Sequence, residues 1–234
     1  MFKKKKDCID PLIVEKNERI FYIKNINEGN IVFDVGANIG ELTLLFSSAV
    51  GKRGQVHSFE PTPETFNKLS TIIKIANKKN VRLNNKAVAQ HKGNADFNVY
   101  EEEYSSWNTF AKRPLENYGI KIAPPLSIVV PVISIDDYCR ENFIESIDLL
   151  KIDVEGAELN VLKGAERMFQ EKKISQCVFE FGQTIFDMGN TITEFEDFFK
   201  LKGYKVYNVS KIQNIFPIDN KTNSACFAVL FAKP

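Results

Sequence analysis

Strand-like and helix-like segments alternate near the start of the chain, and this alternation restricts the possible folds more than any other feature of the sequence. Apolar runs predict short buried strands at residues 31–35, 56–59 and 81–83. Between them, apolar residues three and four positions apart predict amphipathic helices over 39–49 and 63–76. Consecutive strand–helix–strand units form a parallel sheet with right-handed crossovers. The sequence therefore predicts an α/β fold.

The second half of the chain resumes this pattern after an irregular interval. The further elements that we predict are strands at 148–153, 177–180, 205–207 and 225–231, helices at 158–170 and 193–201, and two strand-like stretches at 95–100 and 127–133. No internal repeat interrupts the order. A single α/β domain therefore accounts for most of the 234 residues.

Composition excludes several classes of protein. Hydrophobic residues make up 44% of the chain and charged residues 26%, which is the balance of an ordinary globular protein. No apolar run approaches the roughly 18 residues that a membrane-spanning helix needs, so we expect no transmembrane segment. The 31 basic and 30 acidic side chains nearly cancel, whereas proteins that follow phosphate backbones carry a basic excess. We therefore expect no nucleic-acid partner.

The N-terminal residues and the cysteines bear on location. The lysine run at residues 3–6 is expected to be a solvated tail, and no signal-like apolar stretch follows it. Cys8, Cys139, Cys177 and Cys226 are far apart in the sequence, with no C-x-x-C pair. We expect them to be reduced, structural thiols in a cytoplasmic protein.

A glycine-containing turn joins the first predicted strand to the first helix and reads D-V-G-A-N-I-G over 34–40. Glycines let the backbone approach a ligand without an intervening Cβ, and the helix N-terminus offers unpaired N–H groups. The spacing differs from both G-x-G-x-x-G and the P-loop. Asp34, just ahead of the glycines, suits a ligand with a cationic amine.

A carboxylate lies twenty residues beyond this turn. Glu60 ends the second predicted strand, where it could accept hydrogen bonds from both hydroxyls of a ribose. The glycine turn and Glu60 together predict a nucleoside-type cofactor.

Five motifs in this chain resemble the FkbM-type family of S-adenosylmethionine-dependent methyltransferases. They are the turn at 34–40, F-E-P at 59–61, N-K-A-V at 85–88, L-K-I-D-V-E-G-A-E at 150–158 and L-K-G-A at 162–165. The resemblance implies a Rossmann-like class I methyltransferase fold, with a seven-stranded, mostly parallel sheet, an antiparallel last strand and helices on both faces. It also implies O-methylation of small molecules, often sugars or natural products. Residues 1–28 would then be an N-terminal extension and 29–234 the methyltransferase domain.

The resemblance further implies which residues bind S-adenosylmethionine. Gly36, Asn38 and Gly40 would lie along its methionine part, and Asp34 would face its amino group directly or through water. Glu60 would face its ribose, and Asn85 and Ala87 would border its adenine. The family often ends its fifth strand in Glu-x-His. Here the chain reads Glu180-Phe181-Gly182, so a base supplied by that histidine is missing.

Methylation of an alcohol needs a general base or a metal to activate the hydroxyl. Asp153 and Glu180 end predicted strands, at the edge of the sheet where α/β proteins bind ligands, and are our catalytic candidates. We favour Asp153 as the base or as the group that orients the acceptor. Glu155 would either contact the substrate or accept bonds from helix N–H groups. Asp153 and Glu180 could hold a divalent cation, but two carboxylates are too few to predict a metal site.

The irregular segment 101–125 separates the third and fourth parallel strands. Loops of this length within a compact domain are often functional lids. We expect this segment to close over the acceptor, with Trp107 and Asn108 among the substrate contacts.

Two classes of function remain open from the sequence. The first is an enzyme that methylates a hydroxyl of a small molecule or glycan, with sugars slightly favoured by the resemblance. The second is a non-catalytic glycan- or partner-binding module that keeps the same fold, and the missing histidine is its only support.

Overall fold

The computed structural model describes residues 8–111, 113–211, 214–219 and 224–234, and the lysine run at 3–6 lies outside them. The strands in this part of the chain, in order, are β1 Ile31–Val35, β2 Gln55–Phe59, β3 Val81–Asn84, β4 Ala87–Val88, β5 Gly93–Val99, β6 Leu126–Ile133, β7 Ile147–Ile152, β8 Ile174–Phe181, β9 Lys205–Asn208, β10 Ile218–Asp219, β11 Ser224–Ala225 and β12 Ala228–Lys233.

Helices connect most of these strands. They are α1 Pro11–Asn25, α2 Glu41–Val50, α3 Pro63–Ile75, α4 Ile135–Glu141, α5 Glu158–Lys163, α6 Glu166–Gln170, α7 Gln183–Asp187 and α8 Ile192–Leu201, with 3-10 turns at Glu102–Trp107 and Leu115–Tyr118. Among the described residues, no helix combines the length and the apolar character needed to cross a membrane.

The central sheet has seven strands in the order β3-β2-β1-β7-β8-β12-β9. The neighbours from β3 to β8 are parallel, whereas β12 is antiparallel to both β8 and β9. The fold class predicted from the sequence and its family resemblance is therefore confirmed, including the antiparallel last strand.

Each face of this sheet is covered by helices because the central strands are apolar on both sides. Phe33 of β1 packs into a buried cluster with residues of α5, α6 and α8. Its neighbour Val32 points to the opposite face, where it joins a second cluster with Phe46 of α2 and Leu69 of α3. Alternate residues of one strand thus serve two cores.

A smaller sheet carries the irregular segment. Strands β4, β6 and β5 form it, with β5 and β6 antiparallel, so that Phe97 lies opposite Ile128. Residues 101–125 connect these two strands. The segment is therefore anchored at both ends on a sheet of its own, next to the end of β3.

The predicted single helix over 158–170 is wrong, because the chain forms two short helices there. Gly164 ends α5 so close to the strand region that a Cβ would lie 2.2 Å from the Ala89 carbonyl oxygen. Asp136 of α4 then accepts hydrogen bonds from the N–H groups of Arg167 and Met168 at the start of α6. These contacts with distant residues interrupt the helix. Helical periodicity in the sequence gives no sign of them. The predicted strand at 225–231 is likewise divided between β11 and β12.

The N-terminal residues form a helix that packs on the sheet. Asp10 caps α1 and Pro11 occupies its first turn. The Phe21 ring lies 4.8 Å from that of Phe231 in β12, and the Tyr22 ring lies 4.8 Å from Phe46 in α2, measured between ring centres. Helix α1 is therefore part of the same hydrophobic core as the sheet.

The prediction of four reduced cysteines is wrong for one pair. Cys8 and Cys226 form a disulfide with a Cα–Cα distance of 5.3 Å. They are 218 residues apart in sequence, and only the return of α1 to the β12 side of the sheet brings them together. Cys139 and Cys177 are free and buried, as expected of structural thiols.

Candidate functional site

The glycine turn follows β1 at the carboxyl edge of the sheet. Gly36 has φ +79°, and a Cβ at this position would lie 1.7 Å from the Asp153 carbonyl oxygen beyond β7. The N–H groups of Gly36 and Ala37 donate to the Phe59 carbonyl at 3.1 and 2.9 Å. The turn is therefore fixed by both neighbouring strands and requires glycine at position 36.

A cavity of about 510 Å³ opens above this turn, a volume typical of small-molecule sites. It brings together most of the residues singled out from the sequence, which are Gly36, Asn38, Gly40, Glu60, Ala87, Asn108, Asp153, Glu155 and Glu180. Asp34, Asn85 and Trp107 are not among its lining residues.

Glu60 is held by backbone donors at one end of the cavity. Its two carboxylate oxygens accept hydrogen bonds from the N–H groups of Asn38 at 3.1 Å and Thr62 at 2.9 Å. Burial raises its pKa, and these bonds oppose the shift. Each oxygen keeps a second lone pair for a ligand hydroxyl.

Asp34 lies beneath the cavity and faces a buried lysine. Its side chain is fully buried, accepts a hydrogen bond from Thr43 Oγ1 at 2.6 Å and lies 3.2 Å from Lys151 Nζ. Lys151 Nζ also donates to the Gly36 carbonyl at 2.8 Å and lies 3.4 Å from the Asp153 carboxylate. Although burial disfavours its charge, Asp153 and Asp34 raise the pKa of Lys151. Lys151 therefore joins β1, the glycine turn and β7.

Of the two predicted residues after β3, one supports a neighbouring loop and the other lines the cavity. The Asn85 side-chain amide donates to the Glu60 and Pro61 carbonyls at 2.9 and 3.0 Å, so it fixes the loop after β2. Ala87, in β4, is buried and lines the cavity. Their contact with an adenine stays a prediction.

Three carboxyl groups converge on the opposite side of the cavity. Oxygen atoms of Asp153, Glu155 and Glu180 lie within 4.8 Å of one another, an arrangement that could hold a metal ion. Burial and the Asp153 charge raise the pKa of Glu180 well above its ordinary value, and they raise that of Glu155 to about 8. Burial also opposes ionisation of Asp153, but Lys151 and a hydrogen bond with Glu180 lower its pKa. The cluster thus combines an Asp153 whose pKa is lowered with two neighbours whose pKa values are raised.

Glu158, and not Glu155, binds the backbone N–H groups of the turn that leads into α5. Its Oε1 accepts hydrogen bonds from Val154 and Gly156 at 3.2 and 3.1 Å, just ahead of α5. Burial raises its pKa to about 7. The Glu155 carboxyl is free of this task and faces the cavity, 3.7 Å from Arg113 Nη1.

The irregular segment reaches the cavity through a few contacts. Asn108 lines it and donates from Nδ2 to Thr62 Oγ1 at 3.2 Å, while Thr109 Oγ1 donates to the Glu155 carbonyl at 2.6 Å. Trp107 lies behind these residues, with the Arg113 guanidinium 5.2 Å from its ring centre. Residue 112 and the side chain of Tyr118 lie outside the described part of the chain.

Sequence reasoning missed three groups of this site. Glu18 and Tyr22 of α1 line the cavity, Lys151 forms its floor, and Arg113 pairs with Glu155. The Asp10-Pro11 cap was a usable signal for the helix. Nothing in the local sequence indicates that α1 returns to the glycine turn.

Comparison with known proteins identifies the chain's relatives. Residues 34–206 match the methyltransferase FkbM domain. The chain belongs to this family. The hexuronic acid methyltransferase AglP of Haloferax volcanii is 26% identical over 154 residues, which cover 63% of this chain and 55% of that protein. The 31-O-demethyl-FK506 methyltransferase FkbM of Streptomyces tacrolimicus is 30% identical over 161 residues, covering 60% of this chain and 61% of that protein.

A solved structure shares the fold. The methyltransferase FkbM of Methylobacillus flagellatus KT superimposes with a TM-score of 0.54 at 15% identity, over 88% of this chain and 43% of that one. The matches to the curated relatives span about 55 to 65% of their lengths. The family match begins at Asp34 and includes the glycine turn, Glu60 and the Asp153 cluster, whereas α1 precedes it.

Proposed function

We propose that this FkbM-family chain is an S-adenosylmethionine-dependent O-methyltransferase that acts on a hydroxyl of a small molecule or glycan. The observation that carries the proposal is that the glycine turn, Glu60 and the Asp153 cluster all line one cavity. A nucleoside end and a reacting end thus lie within one site of about 510 Å³.

The residues present fit S-adenosylmethionine. Asn38 Oδ1 is buried without a hydrogen-bond partner among the described residues, and it lies in the glycine turn. Glu60 supplies fixed acceptors for the ribose hydroxyls, and Ala87 offers an apolar surface for the adenine. When bound, S-adenosylmethionine supplies a methyl group on a sulfonium centre.

The protein contributes to this chemistry by positioning the acceptor hydroxyl and by accepting its proton. Asp153 is ionised, about 40% exposed, and directed by Lys151 at 3.4 Å. We assign it to accept the proton of the acceptor hydroxyl, with Glu180 sharing a hydrogen bond with it. Glu155, Asn108 and Trp107 are assigned to the acceptor side. Residues 101–125 exclude water when they close.

The names of two relatives point to two acceptor classes, a sugar acid and a macrolide. AglP is a hexuronic acid methyltransferase and FkbM acts on 31-O-demethyl-FK506. Because the site offers several polar groups around Asp153, we favour a sugar hydroxyl over a macrolide. No nucleic-acid partner is part of this proposal, and the metal that the three carboxylates could hold is not required by it.

Two further predictions concern the domain boundary and the cellular location. The domain boundary between residues 28 and 29 stays a prediction, although α1 packs into the core and lines the cavity. A cytoplasmic location also stays a prediction, and the Cys8–Cys226 bond argues against it because reducing compartments keep thiols free.

The test is formation of S-adenosylhomocysteine from S-adenosylmethionine in the presence of hexuronic acid glycosides, neutral hexose glycosides and a macrolide. We expect acceptor-dependent product with a sugar. Gly36→Arg should abolish it, because even a Cβ overlaps Asp153. Asp153→Asn should lower kcat about 100-fold or more. Binding of S-adenosylhomocysteine with no turnover on any acceptor would favour the non-catalytic module instead.

A further inference from the structure

Helix α1 forms one wall of the cofactor cavity. Glu18 and Tyr22 line it together with the glycine turn, and the Tyr22 hydroxyl donates to Glu18 Oε1 at 2.7 Å. Two links hold the helix in place. Arg19 Nη2 lies 2.6 Å from Glu41 Oε2 at the start of α2, and the disulfide fixes Cys8 ahead of the helix.

An accessible carboxylate near the glycine turn would form the strongest hydrogen bond with a cationic amine in this cavity. The sequence resemblance assigns this role to Asp34, but that side chain is fully buried and engaged by Thr43 and Lys151. An ammonium group entering there would displace the Lys151 charge. Asp34 is better suited to hold Lys151 than to contact a ligand.

The other acidic side chains of the cavity have different partners. Both oxygens of Glu60 accept backbone N–H groups at the ribose end. Glu155 lies 3.7 Å from Arg113 Nη1, and its carboxyl converges with those of Glu180 and Asp153 at the reacting end. Asp153 is paired with Lys151 and lies at the reacting end.

Glu18 meets the remaining requirements. It is partly buried, which strengthens its interaction with a charge, and one oxygen is oriented by Tyr22. Burial raises the pKa of Glu18, whereas the Tyr22 hydrogen bond, Lys151 and Arg19 lower it, and a bound ammonium group would lower it further. Its other oxygen makes no hydrogen bond within the described residues. Phe21 of α1 contacts Phe231 of β12, a strand on the far side of β1 from β3, whereas Ala87 follows β3.

We propose that Glu18 binds the α-ammonium group of the methionyl part of S-adenosylmethionine, with Tyr22 as its positioning residue. The proposal rests on the proposed function, since it takes S-adenosylmethionine as the cofactor. The helix before the family-matched residues 34–206 then completes the site.

Calorimetric titration with two probes tests it. S-adenosylhomocysteine carries the ammonium group, whereas 5′-methylthioadenosine lacks the whole amino-acid part. Glu18→Gln keeps the acceptor for Tyr22 but removes the charge. It should weaken S-adenosylhomocysteine binding about 10- to 100-fold, the range for a charged hydrogen bond, and change methylthioadenosine affinity less than about threefold.

The matched control is Glu15→Gln, one turn earlier, where an exposed carboxylate at the rim of the cavity loses the same charge. It should leave both affinities unchanged. Equal S-adenosylhomocysteine affinities in wild type and Glu18→Gln would overturn the proposal, as would equal losses for both probes. If the wild type bound neither probe, the proposed function itself would fail.

Discussion

The floor of the cavity and the segment at 101–125 are built in different ways. The floor consists of the glycine turn, Lys151 and Asp34, all fixed by hydrogen bonds within the central sheet. The segment is anchored on its own small sheet, and side-chain contacts from Asn108, Thr109 and Arg113 link it to the cavity. The floor is therefore expected to be rigid, and the segment to have lower local stability.

This difference assigns separate tasks to the two regions. A cofactor shared by many reactions suits a preformed site, whereas an acceptor must enter and leave. We therefore propose that acceptor preference can change in the segment at 101–125 without altering the cofactor site. Four substitutions or conditions sharpen the comparison.

The largest effect is expected from the floor. Lys151→Met leaves Asp34 buried without its cation, which should lower the free energy of unfolding by about 3–5 kcal/mol. Urea unfolding measures this change. Lys163→Met is the control, because that lysine is about 39% exposed and lies 4.0 Å from Glu194. It should change the free energy of unfolding by less than about 0.5 kcal/mol. Equal effects of the two substitutions would contradict a structural role for Lys151.

The second-largest effect on the free energy of unfolding is expected from the disulfide that fixes α1, the helix that forms one wall of the cavity. Cys8→Ser removes a bond across 218 residues and should cost about 2–4 kcal/mol of unfolding free energy under oxidising conditions. Adding a thiol reductant should lower the wild type to the level of the variant and leave the variant unchanged. A reductant effect on Cys8→Ser as large as that on the wild type would show that another thiol is responsible.

A smaller effect should follow from pH. The pKa of Glu155 is raised to about 8 in the fold, mainly by burial and then by Asp153, so the folded chain binds a proton that the unfolded chain releases. The free energy of unfolding should therefore fall as pH rises, by on the order of 1 kcal/mol from pH 6.5 to 8.5. The window starts at 6.5 because His57, whose pKa burial lowers to about 4, has the opposite effect below it. Glu155→Gln should make the slope shallower without removing it, because the pKa values of Glu158 and Glu180 are also raised in the fold, whereas the exposed Glu166→Gln should leave the slope unchanged.

A substitution in the segment at 101–125 is expected to have the smallest effect on cofactor binding. Trp107→Ala removes the ring beneath Arg113 and loosens the Arg113–Glu155 contact. Acceptor use should weaken, while S-adenosylhomocysteine affinity changes less than about threefold. Hydrogen exchange across 101–125 should also slow when cofactor and acceptor are both bound. Loss of cofactor binding or unfolding of this variant would place Trp107 in the structural core and contradict the lid proposal.

The sequence revealed the parts of this molecule whose signals are local. Neighbouring residues in the sequence are enough to predict the strands, the glycine turn and Glu60. The fold class was predicted from these local patterns. The break at Gly164, the Cys8–Cys226 bond and the role of Lys151 depend on contacts between distant segments, which periodicity does not encode. Asp34 shows the limit most clearly. A motif located it next to the site, but only the fold shows that its carboxylate faces Lys151.

The central claim is that the site between the glycine turn and Glu60 binds S-adenosylmethionine. Calorimetric titration of S-adenosylhomocysteine into wild type and Glu60→Ala tests it most directly. We expect one binding site per wild-type chain and an affinity at least about tenfold lower in Glu60→Ala, whose thermal unfolding should confirm that it is folded. Wild-type protein that does not bind, or a folded Glu60→Ala variant that binds with unchanged affinity, would contradict the account.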